Sequence, residues 1–393
     1  MPVLWVSFGD NGGMTSASYS SAAAEPFEGL RIRGVAKTFG TDTTVLNEID
    51  LDVHPGELIS LVGSSGTGKS TLLRIIAGLE EPSAGRVTYA GQPLERGSVG
   101  VVFQRPILYP HLSVKDNILF PTRLGAFAGR VDMDYYRELL EALKLEGLES
   151  RKPSQLSGGQ AQRVGIARAL VRRAPVVLFD EPLASVDEQM SASIRADIVR
   201  LHERYGFTGL YVTHDQNEAL MLGQRVAVMD AGYLVQVDTP ERLLAHPHTL
   251  QVAKLLAAPA LNLLALEDSE SLPAGCELAI RATALCPVAA DAAHALPVQV
   301  LGSRHLVGGM LYRARLVEAV SLPLESRRAS AGSELSARVR AGQELEFFIS
   351  DAQGATLSGT SPNSIFLSAG ERVHLGVAAE RCFLFSGGKR FYL

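Results

Sequence analysis

The chain has no apolar run approaching the roughly 18–20 residues a helix needs to cross a bilayer, so any work at a membrane must pass through a partner. It has no long Lys/Arg run, and its formal net charge of −5 disfavours non-specific binding to nucleic acid. Cysteine is scarce: Cys276, Cys286 and Cys382 are the three in 393 residues, they form no CxxC pair, and all lie in the C-terminal third. That disfavours a thiolate metal site and reads as reduced thiols of a cytosolic protein. Neither an internal repeat nor a sustained heptad pattern is present. The Ser/Ala/Gly-rich start carries no basic n-region and makes a poor signal peptide. It reads either as a disordered extension or as an over-called start with Met14 as the initiator.

What is present has the length for two or three domains, each with its own core. Residues 30–53 alternate apolar and polar, which predicts antiparallel strands. Residues 57–62 form a short apolar strand running into a glycine-rich loop, and residues 70–79 have helical spacing. Strands are expected at 86–90 and 98–103, and helical periodicity over 113–147 suggests an insert in an α/β core. A helix is expected over 160–172. Strands at 176–179 and 209–212 flank a long helix over 188–205, an alternation that predicts a mostly parallel, helix-covered sheet. Residues 257–266 read as a linker. Beyond them, short β-like runs recur between Gly, Pro and Ser, which suggests a small β-barrel.

Three motifs carry the chemistry. Gly63-Ser64-Ser65-Gly66-Thr67-Gly68-Lys69-Ser70, followed by Thr71, lies between a strand and a helix. Its glycines let the backbone wrap around phosphates, and the helix start adds aligned N–H groups. Lys69 can neutralise the β- and γ-phosphates, and Ser70 can offer a hydroxyl to Mg²⁺. Asp180 and Glu181 end an apolar strand at the sheet edge where open α/β sheets bind ligands. There Asp180 can hold Mg²⁺ while Glu181 acts as the base for an attacking water. Gln104 follows the strand ending at Phe103, within reach of both metal and water. His214 follows the strand 210–212; it is either a satisfied structural residue or a donor to the γ-phosphate. The third motif is Leu156-Ser157-Gly158-Gly159-Gln160, whose Ser-Gly-Gly opens a second helix. It is either a plain N-cap or an anion-binding helix end acting on a nucleotide held by another copy of the chain.

In this order and spacing the motifs resemble the ATP-binding cassette (ABC) ATPases over about residues 30–256. The resemblance implies a P-loop NTPase core of α/β class, with an antiparallel β subdomain and a helical insert. The C-terminal part is similar to the OB- or TOBE-like barrel of maltose-type importer ATPases. The expected division is an extension over 1–28, the ATPase domain over 29–256 with its helical part at about 105–155, and an accessory domain over 257–393. By resemblance, Phe39 stacks on adenine, Gln104 is the lid glutamine, Glu181 the general base, Asp187 the aspartate of the loop crossing a dimer, and His214 the switch histidine. Lys69 joins Glu181, His214 and Gln104 as catalytic, and Ser70, Gln104 and Asp180 hold Mg²⁺. ATP contacts come from Phe39, residues 63–71, Ser157, Gly158, Gly159, Gln160 and Asp187. Two departures stand out: Ala184-Ser185-Val186 replaces Ser-Ala-Leu before Asp187, and Arg281-Ala282-Thr283 stands where Arg-Pro-Glu is usual.

The segment Tyr109-Pro110-His111 resembles the importer branch, frequently of carbohydrate and polyol importers. The implied protein is a peripheral ATPase on the cytoplasmic face of the plasma membrane. It would work as a head-to-tail homodimer with two integral-membrane permease subunits docked through about residues 104–115, where Leu108, Tyr109 and Pro110 are expected to be exposed unless they pack within the insert. A periplasmic or extracellular solute-binding protein would act indirectly, and nucleic acid would not be a partner. Iron, polyamine and sulfate-type cargo stay open, as does an exporter. So do a soluble ABC ATPase acting on ribosomes or DNA, and a role of the C-terminal domain in sequestering a regulator.

Overall fold

The computed structural model describes residues 27–123, 131–267, 272, 275–324, 335–350, 367–377 and 381–391. The expectations about the N-terminal extension and Met14 lie outside the described residues. The chain begins with β1 (Leu30–Phe39), β2 (Thr43–Val53), β3 (Leu58–Val62), α1 (Lys69–Ile76), β4 (Ala84–Tyr89), β5 (Gln92–Pro93) and β6 (Gly100–Val102). The insert contributes α2 (Val114–Leu119) and α3 (Met133–Ala142), followed by α4 (Gly158–Leu170). Then come β7 (Val176–Asp180), α5 (Glu188–Tyr205), β8 (Thr208–Thr213), α6 (Gln216–Leu222), β9 (Arg225–Asp230), β10 (Tyr233–Asp238), α7 (Pro240–Ala245) and α8 (Leu250–Leu255).

Six strands form the central sheet in the order β10-β9-β3-β8-β7-β6. Strand β3 pairs in parallel with β8 and β9, and β7 in parallel with β6 and β8; only β10 runs antiparallel. All five residues of β3 are buried, as are the first four of β7. Such unbroken apolar runs are expected where helices or a second sheet cover both faces. Successive side chains point to opposite faces. Accordingly Val177, Phe179 and Tyr211 join one core with the helical insert, while Val176, Leu178, Leu210 and Val212 join another. That second core is closed by α1 and by the antiparallel sheet β2-β1-β4-β5.

A buried ion pair fastens α4 to α5. Asp197 is fully buried and pairs with Arg163. The Arg163 guanidinium also donates to the Leu143 carbonyl at 3.0 Å and to the Ser193 hydroxyl at 3.0 Å. Arg200 and Lys144 complete the surroundings of the carboxylate, the latter at 3.6 Å.

The expected linker is partly a strand. Leu261–Ala265 is β11 and pairs with β12 (Glu277–Arg281), because Asn262 and Leu264 are buried while Leu261, Leu263 and Ala265 are not, a period of two that its high Leu content hid. The expected single barrel is, among the described residues, a four-stranded sheet and a five-stranded sheet sharing one apolar core, plus a two-stranded ribbon. This unit is fixed to the cassette. Leu250 and Ala253 of α8 pack with Ala279, Phe383 and Phe385, and the Leu250 amide donates to the Gly388 carbonyl at 2.9 Å.

Asp197→Ala strips Arg163 of its counter-charge in a dry site and should cost about 3–5 kcal/mol of stability. The double change Arg163→Met with Asp197→Leu should cost much less, and urea denaturation of the three proteins checks the difference.

Candidate nucleotide site

The loop between β3 and α1 takes its shape from glycine. Gly68 has φ +98, and a Cβ there would lie 2.7 Å from a Leu46 methyl and 2.8 Å from the Val45 carbonyl oxygen. It is also the N-cap of α1, and having no side chain it leaves the amides of the first turn uncapped. The Thr67 hydroxyl closes the loop on the Ser64 carbonyl at 3.0 Å. Ser64, Ser65 and Gly66 form its exposed rim, and Thr71 lies half-buried in the helix behind. Lys69 is buried and donates to the carbonyls of Gly63 and Ser64 at 2.8 and 2.9 Å. Burial pulls its ammonium below the ordinary lysine value, against the carboxylates of Glu181 and Asp180, which hold it up.

Those carboxylates arrive from β7. The Ser70 hydroxyl donates to Asp180 Oδ1 at 3.2 Å, so two of the three groups expected to hold Mg²⁺ are adjacent. Burial raises the Asp180 carboxyl above its usual value, with the Ser70 bond opposing the shift. A hydroxyl beside a half-buried carboxylate is a hard oxygen pair, which suits Mg²⁺. Glu181 has φ +45, a conformation that costs a non-glycine residue energy. Its amide donates to the Val212 carbonyl at 2.9 Å, which holds the turn. The turn aims its side chain at His214, whose Nδ1 lies 3.0 Å from Glu181 Oε2. A carboxylate against an imidazole, next to a lysine and a hydroxyl–carboxylate pair, can take a proton from water while the cations neutralise a phosphate.

Behind His214 lies a cluster not anticipated from sequence. Glu218 of α6 is buried and accepts from the Thr213 and Tyr211 hydroxyls at 2.8 and 3.1 Å, with Arg195 3.7 Å away. Burial raises the Glu218 carboxyl. No spacing rule marks these four residues; the packing of α5 and α6 beside β8 assembles them.

The remaining expected site residues stand apart from this centre. Gln104 lies two residues beyond the end of β6, exposed and without a hydrogen bond to Asp180 or Ser70 among the described residues. Phe39 is 42% exposed at the end of β1, with the Lys37 ammonium 4.9 Å from its ring centroid. Ser157 caps α4, its hydroxyl accepting from the Gln160 amide at 3.3 Å while Gln160 Oε1 accepts from the Ser157 amide at 3.0 Å. Ser157 and Gly158 are exposed, but Gly159 is buried under the Met190 side chain, which fills the space a Cβ would need. Asp187 caps α5 by accepting from the Met190 amide at 2.9 Å. The Ser-Gly-Gly tip and the Asp187 turn therefore form one surface, joined through Met190.

A second concavity lies at the insert, a groove of about 480 Å³ lined in part by Leu79, Phe103, Ile107, Tyr109 and Phe120. Of the two alternatives, Leu108 takes the packed one, half-buried against the core of the insert, while Pro110 is exposed and Ile107 faces outward at 67% exposure. Tyr109 is 39% exposed and leans on Phe120 with ring centroids 4.4 Å apart. The buried Asn117 side chain holds this loop, accepting from the Tyr109 amide at 2.7 Å and donating to the carbonyls of Tyr109, Leu112 and Ser113. No helix among the described residues is long and apolar enough to cross a membrane.

A profile of the family described as ABC transporter matches residues 46–184. The chain is 45% identical, over 60% of its length, to the sn-glycerol-3-phosphate import ATP-binding protein UgpC 1 of Rhizobium johnstonii, of which it spans 65%. It is 42% identical, over 65% of its length, to the sn-glycerol-3-phosphate import ATP-binding protein UgpC of Salmonella typhi, of which it spans 74%. Among solved structures, cbiO1 from Clostridium perfringens, part of the ABC transporter complex cbiONQ, superposes with a TM-score of 0.50 at 28% identity, covering 56% of this chain and 92% of that one.

Lys69→Ala should weaken ATP binding by about ten- to a hundredfold, the value of a charge-assisted hydrogen bond, as read by titration with a fluorescent ATP analogue.

Proposed function

The chain belongs to the ABC transporter family as an ATP-binding protein, and from that premise we propose that it is the ATP-hydrolysing subunit of an importer, working as a head-to-tail homodimer on separate membrane subunits. The observation that carries this reading is the convergence of Lys69, Ser70, Asp180, Glu181 and His214 at the ends of β3, β7 and β8. Lys69 exchanges its loop carbonyls for the β- and γ-phosphates. Glu181 accepts the proton of the attacking water, and His214 keeps the carboxylate oriented and donates to the γ-phosphate. A Mg²⁺ held by Ser70 and Asp180, with Gln104 closing on it, would supply charge neutralisation at the phosphate oxygens.

The exposed tip at Ser157 and Gly158 favours the dimer. It is an exposed helix end, capped by its own Ser157, on the surface of a chain that already has one phosphate loop, so an anion for it is best supplied by the second copy. Phe39 offers an exposed ring for adenine, and Asp187 lies beside the tip to meet the partner. Loss of the γ-phosphate removes the contacts that bridge the copies and lets them part.

The groove around Ile107 and Tyr109 is the proposed seat of a cytoplasmic segment of the membrane subunits, placing the protein at the inner face of the membrane. The cargo class we infer is a carbohydrate or polyol, with a phosphorylated polyol first, because both relatives are named for sn-glycerol-3-phosphate import.

Glu181→Gln should retain ATP affinity, lower turnover by about 10²–10⁴-fold and accumulate as a dimer in ATP and Mg²⁺; size-exclusion chromatography with a phosphate-release assay reads both. Ile107→Asp should leave the ATPase rate of the isolated protein unchanged and abolish co-purification with the membrane subunits, since it puts a charge into an apolar contact.

A further inference from the structure

We propose that the joint between the cassette and the C-terminal strands is a binding site for a small organic phosphate ester, separate from the nucleotide loop. A cavity of about 630 Å³ opens at this joint, in the range of small-molecule sites. Its lining includes Gln216 of α6, Glu241 of α7, Arg281 at the end of β12, Thr283, Arg381 and Phe383.

Arg281 is the reason to expect an anion. Its Nη1 donates to the Leu244 carbonyl at 2.7 Å, and its guanidinium lies 5.0 Å from the Phe383 ring centroid. Its Nε and Nη2 are buried and bond to nothing. Burial, reinforced by the like charges of Arg381 and Arg390, brings the Arg281 guanidinium down to about 10. Thr283 brings no carboxylate, and Glu241 forms no ion pair with Arg281 or Arg381 among the described residues. A buried cation with unused donors is costly to keep, and an anion entering the cavity removes that cost. The exposed Arg381 on the same lining adds a second guanidinium, and two such forks match the oxygens of a phosphate.

The cavity asks for more than phosphate. It is far larger than the inorganic ion, and Gln216 Oε1, also buried, has no donor. A hydroxyl on the ligand answers it. Gln216 opens the helix that follows His214 and Asp215. An occupant bonded to both Gln216 and Arg281 ties that helix to the C-terminal unit and so reaches the hydrolytic centre. No lining residue belongs to the phosphate loop or to the groove at Ile107, so the site stands whatever solute is carried.

The test is calorimetric titration of the full chain, with the nucleotide loop filled by ADP and Mg²⁺, at matched ionic strength. The probes are sn-glycerol 3-phosphate, inorganic phosphate and glycerol. The ester should bind once per chain, inorganic phosphate should bind about tenfold more weakly for want of the hydroxyl bond, and glycerol should not bind. Arg381→Glu, an exposed change that spares the core, should weaken the ester by about tenfold or more with ADP affinity unchanged. Gln216→Leu should reduce the ester to the level of inorganic phosphate. No ester binding to the wild-type chain, or unchanged binding in Arg381→Glu, overturns the site; phosphate binding as tightly as the ester overturns the role of Gln216. The ester should also change the wild-type ATPase rate by about twofold or more and leave that of Arg381→Glu unmoved, and an unchanged wild-type rate overturns the link to α6.

Discussion

Everything in the cassette depends on three parallel strands that have no exposed face. Because β3, β7 and β8 are buried on both sides, charged side chains have nowhere to go until the strands end. Parallel pairing makes those ends coincide. The glycine loop leaves β3, Asp180 and Glu181 leave β7, and His214 leaves β8, all on one edge. The same hydrophobic demand that builds the sheet therefore concentrates the cations, carboxylates and imidazole of the site. Burial then tunes them: it weakens the proton hold of Lys69 and strengthens that of Asp180, so each is readied to meet an opposite charge.

Much of this was legible in the chain. Helix α5 has the expected bounds, and the strands of the central sheet lie where apolar runs meet glycine or acid. Local patterns suffice there because each element's burial is written in its own residues. Sequence is silent where the partner is distant. Nothing near Glu218 announces Arg195, 23 positions before it, and nothing near Gly159 announces that Met190, 31 positions on, occupies the space its side chain would need. Ile107 and Leu108 are both apolar neighbours, and only the path of the loop, pinned by Asn117, decides which of them is exposed. The strand at Leu261–Ala265 was hidden for the opposite reason: the polar Asn262 is buried while the apolar Leu261, Leu263 and Ala265 are less so, and the alternation therefore runs against the residue types.

The C-terminal unit is not loosely tethered. Its strand ends reach back to the cassette through backbone bonds at His248 and Leu250 and through Arg281 and Arg390, which donate to the carbonyls of Leu244 and Ala245. These bonds end on the segment from α7 to the start of α8, which packs with α6 and β9 in one small core. A displacement of α6 is thus felt beyond the cassette, through packing rather than through a flexible link.

Helix α4 connects the Ser-Gly-Gly tip to the insert. Its 13 residues span about 20 Å. At its start stand Ser157 and Gly159, the latter seated on Met190. At its middle Arg163 is held by Asp197 and by carbonyl and hydroxyl oxygens from two other elements. Near its end the Arg168 guanidinium donates to the Ile107 carbonyl at 2.6 Å. A helix clamped at three points along its length moves as a body, because bending it would break backbone bonds in a dry core. Whatever draws the Ser-Gly-Gly tip toward a phosphate must therefore carry the Ile107 loop with it. In the proposed dimer the groove needs no route of its own to the nucleotide, because it rides on the helix whose tip would meet it.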